Sequence, residues 1–194
     1  MGNMVLSDQK LFYSSEELKD LGYSYYMVRK MIMQGKLSKL NNKYYENQEY
    51  EGVPTDYSYI SVYAPHGVVC LLSAARFYNL TTYLPDSVDL ALERDMKVST
   101  LPEWPHFHPV YFSKERYETG VVTDTDGTAE FRIYDREKTV ADILYYRSRV
   151  GMDETKEILK NYLSSPERNL PLLHEYADHL GCRKILSTYL EVLL

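Results

Sequence analysis

Cysteine is nearly absent from this chain of 194 residues. Its two thiols, Cys70 and Cys182, form neither a close pair nor a disulfide framework, a usage that fits a reducing compartment. Long apolar runs are missing too. A bilayer-spanning helix needs about 18 apolar residues or more, and the best stretch, "GVVCLLSAA" (67–75), has half that. The opening "MGNMVLSDQK" lacks a basic segment followed by an apolar one, so no secretory leader is expected. Gly/Ser-rich and Pro-rich tracts are absent, as are repeats. A hydrophobic fraction of 44% argues against disorder. The expectation is a folded cytoplasmic protein without a membrane partner, with one full domain plus a small one, or one large domain.

The most informative absence is local. The chain as a whole is acidic, with 22 Lys+Arg against 28 Asp+Glu and a formal charge of -6. Yet "YSYYMVRKMIMQGKLSKLNNKYY", Tyr23 to Tyr45, contains Arg29, Lys30, Lys36, Lys39 and Lys43 and no acid at all. Residues 1–45 carry +3 and residues 46–194 carry -9. A small basic module on an acidic body is the electrostatic footprint of a polyanion-binding head, although a solvated helix face would look similar.

The local pattern gives that module a shape. In "SSEELKDLG", Ser14 or Ser15 can cap a short helix with Leu18 and Leu21 facing inward, and Gly22 stands where a helix end needs a left-handed residue. Ser24 can cap a second helix running to Gln34 and stopped by Gly35. Val28, Met31 and Ile32 fall at i, i+3 and i+4 and make its buried stripe. Tyr25, Tyr26, Arg29, Lys30 and Met33 are left on the opposite side. Two short helices joined by a tight turn are a helix-turn-helix. "KLSKL" and "KYYE" then read as strands joined at Asn41-Asn42, whose side chains tolerate the backbone of a hairpin tip. Helix, turn, helix and basic hairpin together predict a winged helix-turn-helix over residues 1–48. On that reading the second helix enters a major groove and the wing follows the backbone. The expected DNA contacts are Tyr25, Tyr26, Arg29, Lys30, Lys36, Lys39, Asn41, Asn42 and Lys43, with Arg29 best suited to grip a guanine. The rival reading is a helical subdomain that docks a protein, since exposed Tyr and Met are common at interfaces.

"ENQEYEGVPTDYS", with four acids and no base, places a linker at residues 49–57. Beyond it the pattern predicts an α+β domain over residues 58–194. "YISVY" reads as a strand and "APHGVVCLLSAARFYNL" as a helix starting near Pro65. "SVDLALE" and "HPVYFS" read as strands, and 120–134 as a hairpin around Asp126-Gly127. Helices are expected over 136–150, 153–163, 170–180 and 183–194.

Two blocks of this body, "YAPHGVVCLLSAARFYNLTTYLP" (63–85) and "REKTVADILYYRSRVG" (136–151), resemble signature blocks of the AbiEi antitoxin family of type IV, abortive-infection toxin–antitoxin systems. The basic N-terminal block, ending in a wing followed by Tyr, is similar as well. The resemblance implies a winged helix that binds inverted repeats of double-stranded DNA in its own promoter and represses the operon. It implies a C-terminal domain that helps to neutralise a nucleotidyltransferase toxin without stable direct binding. A monomer in solution that pairs on repeated sites is the expected assembly. The wing departs from the family, which often carries Arg-Gly where this chain has Asn41-Asn42-Lys43, and the operator stays open.

Enzyme-like fragments are few. His66, Cys70 and Ser73 cluster, but Cys70 is expected a turn inside an apolar helix, and no Gly-rich elbow surrounds Ser73. "HEYADH" (174–179) spaces its histidines by five rather than the four a zinc helix needs. "HFH" (106–108) reads as a surface loop beside Trp104 and Pro105. "DTDG" (124–127) lacks the flanking carboxylates of a calcium loop. In "EKTVAD" (137–142), Lys138 and Thr139 can both reach Asp142 as a structural cluster, with Asp135 capping the helix. Asp89 and Glu93 share a strand face. No catalytic residue, metal or cofactor is assigned to any of these.

Overall fold

The computed structural model describes residues 6–96 and 101–193. The chain is mixed α+β and divides into two compact units, Met1–Thr55 and Asp56–Leu194. Among the described residues no helix is long and apolar enough to cross a membrane.

The first unit runs β1 (Phe12–Ser14), α1 (Ser15–Asp20), α2 (Tyr25–Met33), β2 (Leu37–Lys39) and β3 (Tyr44–Asn47). Its three strands form an antiparallel sheet in the order β1-β3-β2. Sequence chemistry explains each helix end. Ser14 Oγ accepts from Glu17 N at 3.1 Å, and the Glu17 carboxylate accepts from Ser14 N at 2.8 Å, a reciprocal capping box. Gly22, at φ 86°, lets Tyr23 N–H reach back to the Leu18 carbonyl at 2.9 Å and close α1. Ser24 caps α2 through Met27 N. Leu6, Tyr13, Leu18, Tyr23, Val28 and Leu37 form the core, and the half-buried Met31, Ile32 and Tyr45 pack on it.

Two features differ from expectation. Leu21 is exposed rather than inward, because α1 stops at Asp20 and Tyr23 takes the core position that another helical turn would have given Leu21. Strand β1, three residues long, shows no alternation that a sequence pattern could register. The stretch read as a linker divides between the units. Glu49 and Glu51 bond to Lys36 and to the Asp8 carbonyl of the first, while Tyr57 stacks on Phe131 of the second.

The capping box supports a stability prediction. Ser14→Ala removes one of its two bonds and is expected to destabilise the first unit by about 1 kcal/mol, read as a lower urea midpoint. The Lys10 ammonium and the Ser14 N–H hold the Glu17 carboxyl below the usual carboxylate range. A depressed folded-state pKa means that this contribution is present above the unfolded glutamate range. It is lost as pH falls through the folded value.

The second unit begins with a 3-10 turn (Asp56–Tyr59) and α3 (Ile60–Tyr63). Then come β4 (Val68–Val69), α4 (Leu71–Phe77), β5 (Val88–Glu93), β6 (Phe107–Phe112), α5 (Lys114–Glu118), β7 (Val121–Thr125) and β8 (Glu130–Tyr134). Five helices close it: α6 (Arg136–Tyr145), α7 (Arg147–Val150), α8 (Met152–Ser164), α9 (Leu170–His179) and α10 (Arg183–Leu193). The five-stranded mixed sheet has the order β6-β5-β4-β8-β7. Helix α6 is the hub of the helical layer, touching α4, α8, α9 and α10, and every residue from Glu137 to Leu144 is buried.

Three expectations for this unit are corrected. "YISVY" is helical, although Ile60 and Val62 alternate in burial with Ser61 and Tyr63 and so imitate a strand. The helix expected from Pro65 starts at Leu71, because Val68 and Val69 are extended between β5 and β8. Cys70 is therefore the N-cap residue rather than a residue inside the helix, and Leu71 turns the chain at φ 47°. The helix expected over 136–150 breaks at Tyr146 into α6 and α7. The hairpin about Asp126-Gly127 forms as expected, with Asp126 Oδ1 accepting from Thr128 N and Ala129 N.

Candidate nucleic-acid interface

Helix α2 divides its side chains cleanly. Val28 is buried and Met31 and Ile32 are half-buried against the core, as the i, i+3, i+4 spacing predicts. The outward side carries Tyr25 at 80% exposure, Tyr26 at 75% and Met33 at 82%. Arg29 and Lys30 lie exposed between them. At 100° per residue, positions 25, 26, 29, 30 and 33 fall on one face. No acid lies on the helix, and among the described residues neither Arg29 nor Lys30 makes an ion pair. Both cations are thus available to a ligand.

Helix α2 packs on β2, which leads into the hairpin. The tip is tightly built. Asn41 Oδ1 accepts from Lys43 N at 2.8 Å and Tyr44 N at 2.9 Å, so the Asn41 side chain shapes the turn. Asn42 and Lys43 are exposed at its apex. The Lys43 ammonium lies 5.2 Å from the Tyr44 ring centroid, and Lys39 is exposed on β2 opposite Tyr45. The Lys43 carbonyl accepts from both Ser15 N, at 2.8 Å, and Ser15 Oγ, at 3.2 Å. The first turn of α1 therefore clamps the hairpin tip. Ser15 lies 28 residues from Lys43, so nothing local in the sequence announces the contact.

Lys36 stands apart from the other expected contacts. Its ammonium pairs with Glu49 at 2.8 Å, an acid beyond the window that looked purely positive. Glu46, Glu49 and Glu51 all belong to this unit, which carries seven Lys/Arg and seven Asp/Glu over residues 1–55. The +3 of residues 1–45 is therefore cancelled in the compact unit. What survives is a segregated surface, with α2 and the hairpin tip free of acids.

In the second unit, the enzyme-like fragments are tied into the fold. Asp142 is fully buried, accepts from Arg116 Nη1 at 2.6 Å and pairs with Lys138 Nζ. Burial pushes the Lys138 ammonium below the ordinary lysine range. Thr139 bonds to the Tyr134 carbonyl, not to Asp142, because its hydroxyl faces the preceding strand. Glu137 accepts from Tyr162 Oη and Asn169 N, and Asp135 caps α6 through Lys138 N. Sequence spacing foretold the Lys138–Asp142 pair but gave no sign of Arg116, 26 residues upstream.

Asp89 pairs with His108 Nδ1 at 2.8 Å across β5 and β6, so Phe107 and His108 are strand residues rather than part of a surface loop. Burial raises the Cys70 thiol pKa well above the cysteine range, which opposes thiolate formation. Ser73 Oγ donates to the Ser87 carbonyl and accepts from Asp89 N. Among the described residues no group of three or more His, Cys, Asp or Glu could hold a metal ion. No family model matches the chain, and no curated protein matches it.

Proposed function

We propose that the first unit is a winged helix-turn-helix that binds duplex DNA, and that the chain is an autorepressing antitoxin of the AbiEi type. The observation that carries the DNA-binding part is the acid-free outward face of α2, with Arg29 and Lys30 unpaired among the described residues. Two supports join it. The strand order β1-β3-β2 around two helices suits a wing, and the tip is held by Asn41 and Ser15. In this reading α2 enters a major groove, Arg29 grips a guanine, and Lys39, Asn42 and Lys43 meet phosphates. Asn41 serves as a positioning residue, and Lys36 engages phosphate only by exchanging Glu49 for it. The antitoxin part rests on the resemblance of residues 63–85 and 136–151 to that family. It assigns the second unit a share in neutralising a nucleotidyltransferase toxin.

The exposure of Tyr25, Tyr26 and Met33 also suits a protein dock. Salt separates the two. Duplex binding through Z phosphates falls with a slope of about -0.9Z in log K against log salt, whereas an apolar dock changes little. The deciding experiment titrates the full chain, against salt, onto DNA from upstream of its own gene. Lys39→Ala and Lys43→Ala are each expected to weaken binding to every duplex and to flatten that slope by about 0.9. An unchanged slope in both variants removes the wing from the interface. Finding a nucleotidyltransferase gene beside this one, and growth rescue when the full chain is co-expressed with its product, tests the antitoxin part.

A further inference from the structure

We infer that α2 selects duplexes by the C5-methyl groups of thymine, flanking a single guanine read by Arg29. The inference rests on the DNA-binding reading above and adds the class of sequence recognised. Its basis is the chemistry of the outward face. Tyr25–Met33 contains no Asn, Gln, Ser or Thr, so Arg29 is the one side chain on it with a planar fork for a guanine edge, while Lys30 presents a point charge. Apart from Lys30 and the two tyrosine hydroxyls, the rest of the reading surface is apolar body. Tyr25, Tyr26 and Met33 are each at least three-quarters exposed, and Met27 adds a further 36%.

In the unbound chain that apolar surface lies in water. Within a major groove the apolar group presented by a base is the thymine methyl. A face of rings and a thioether therefore has one kind of base feature to bury against. Arg29 and Lys30, with no acid beside them on the helix, supply the attraction to phosphate that brings those groups to the groove floor. A protein partner would satisfy the rings and the thioether but would not discriminate a methyl on a base. That difference makes the inference testable.

The test starts with selection of binding duplexes from a randomised pool by the full chain. The selected duplex is then remade with uracil in place of thymine, which deletes the methyl and leaves pairing intact. Selected sequences are expected to place thymines beside a guanine. Uracil should weaken binding by about fourfold for each methyl buried, and thus tenfold or more for two contacts. Tyr25→Ser with Tyr26→Ser and Met33→Ser should bind both duplexes equally. These positions are exposed, and unchanged circular dichroism confirms that the variant is folded. Tyr25→Phe with Tyr26→Phe should keep the discrimination, since the rings and not the hydroxyls make the contact.

Equal affinity of the unaltered chain for the thymine and uracil duplexes overturns the inference while leaving DNA binding in place. Persistent discrimination in the triple serine variant, or its loss in the phenylalanine variant, overturns it as well. Failure to enrich any duplex overturns both the inference and the reading beneath it.

Discussion

Replacing Arg29 and Lys30 together by alanine is expected to lower duplex affinity by roughly two orders of magnitude. Thermal unfolding should be unchanged. Neither side chain belongs to the core of the first unit, and among the described residues neither makes an ion pair whose loss would loosen the fold. Alanine is the best helix former, so α2 persists in the variant. Loss of a bidentate guanine contact removes about 1–3 kcal/mol and relaxes specificity at that base. Loss of a phosphate contact by Lys30 also flattens the salt slope by about 0.9. Fluorescence anisotropy at fixed salt, with circular dichroism as a fold control, measures both effects. Unaltered affinity in the double variant would remove α2 from the DNA.

The second large effect is on stability. Asp142→Ala leaves Arg116 and Lys138, both buried, without their shared carboxylate. Breaking a buried ion pair from one side costs about 3–5 kcal/mol, and here two cations lose their partner. A drop of about 10 °C or more in the melting of the second unit is expected. Aromatic rings also contact both cations. Arg116 Cζ lies 4.0 Å from the Tyr145 centroid, and Lys138 Nζ lies 3.9 Å from that of Tyr134. Both cations are buried, so neither can reach water without breaking these contacts. Lys138→Met is the informative comparison. It keeps an unbranched side chain in the buried Lys138 position and leaves Asp142 paired with Arg116, so it should cost less than Asp142→Ala. Denaturant unfolding of the two variants checks the order, and equal midpoints would mean that the carboxylate is not the keystone.

What could be read from sequence was what is local in the chain. Ser24, Asp135 and the Gly22 and Gly35 stops act on backbone within a few residues, and each stands where the pattern put it. The mixed α+β character followed from strand-like segments in the middle of the chain and helical ones after them. The errors come from short elements and distant partners. Strands β1 and β4 have three residues and two, too few for a period to show. Alternating burial over Ile60–Tyr63 imitates a strand because its helix is a single turn. Ser15 beneath Lys43, Glu49 beside Lys36 and Arg116 beside Asp142 are joined only by folding. Of the candidate interface, the α2 face was legible from helical spacing. The division of labour within the hairpin, with Asn41 building the turn and Asn42 left exposed at its tip, was not.

The equal count of seven cations and seven anions in residues 1–55 bears on how the proposed repressor would search a genome. A strongly cationic domain clings to any stretch of nucleic acid and spends its time on the wrong ones. A head without net charge, whose cations on α2 and at the hairpin tip have no acid among them, has little long-range pull toward random sequence. Its advantage on the correct site then comes mainly from short-range fit, and the ratio of right to wrong occupancy rises even where absolute affinity is modest.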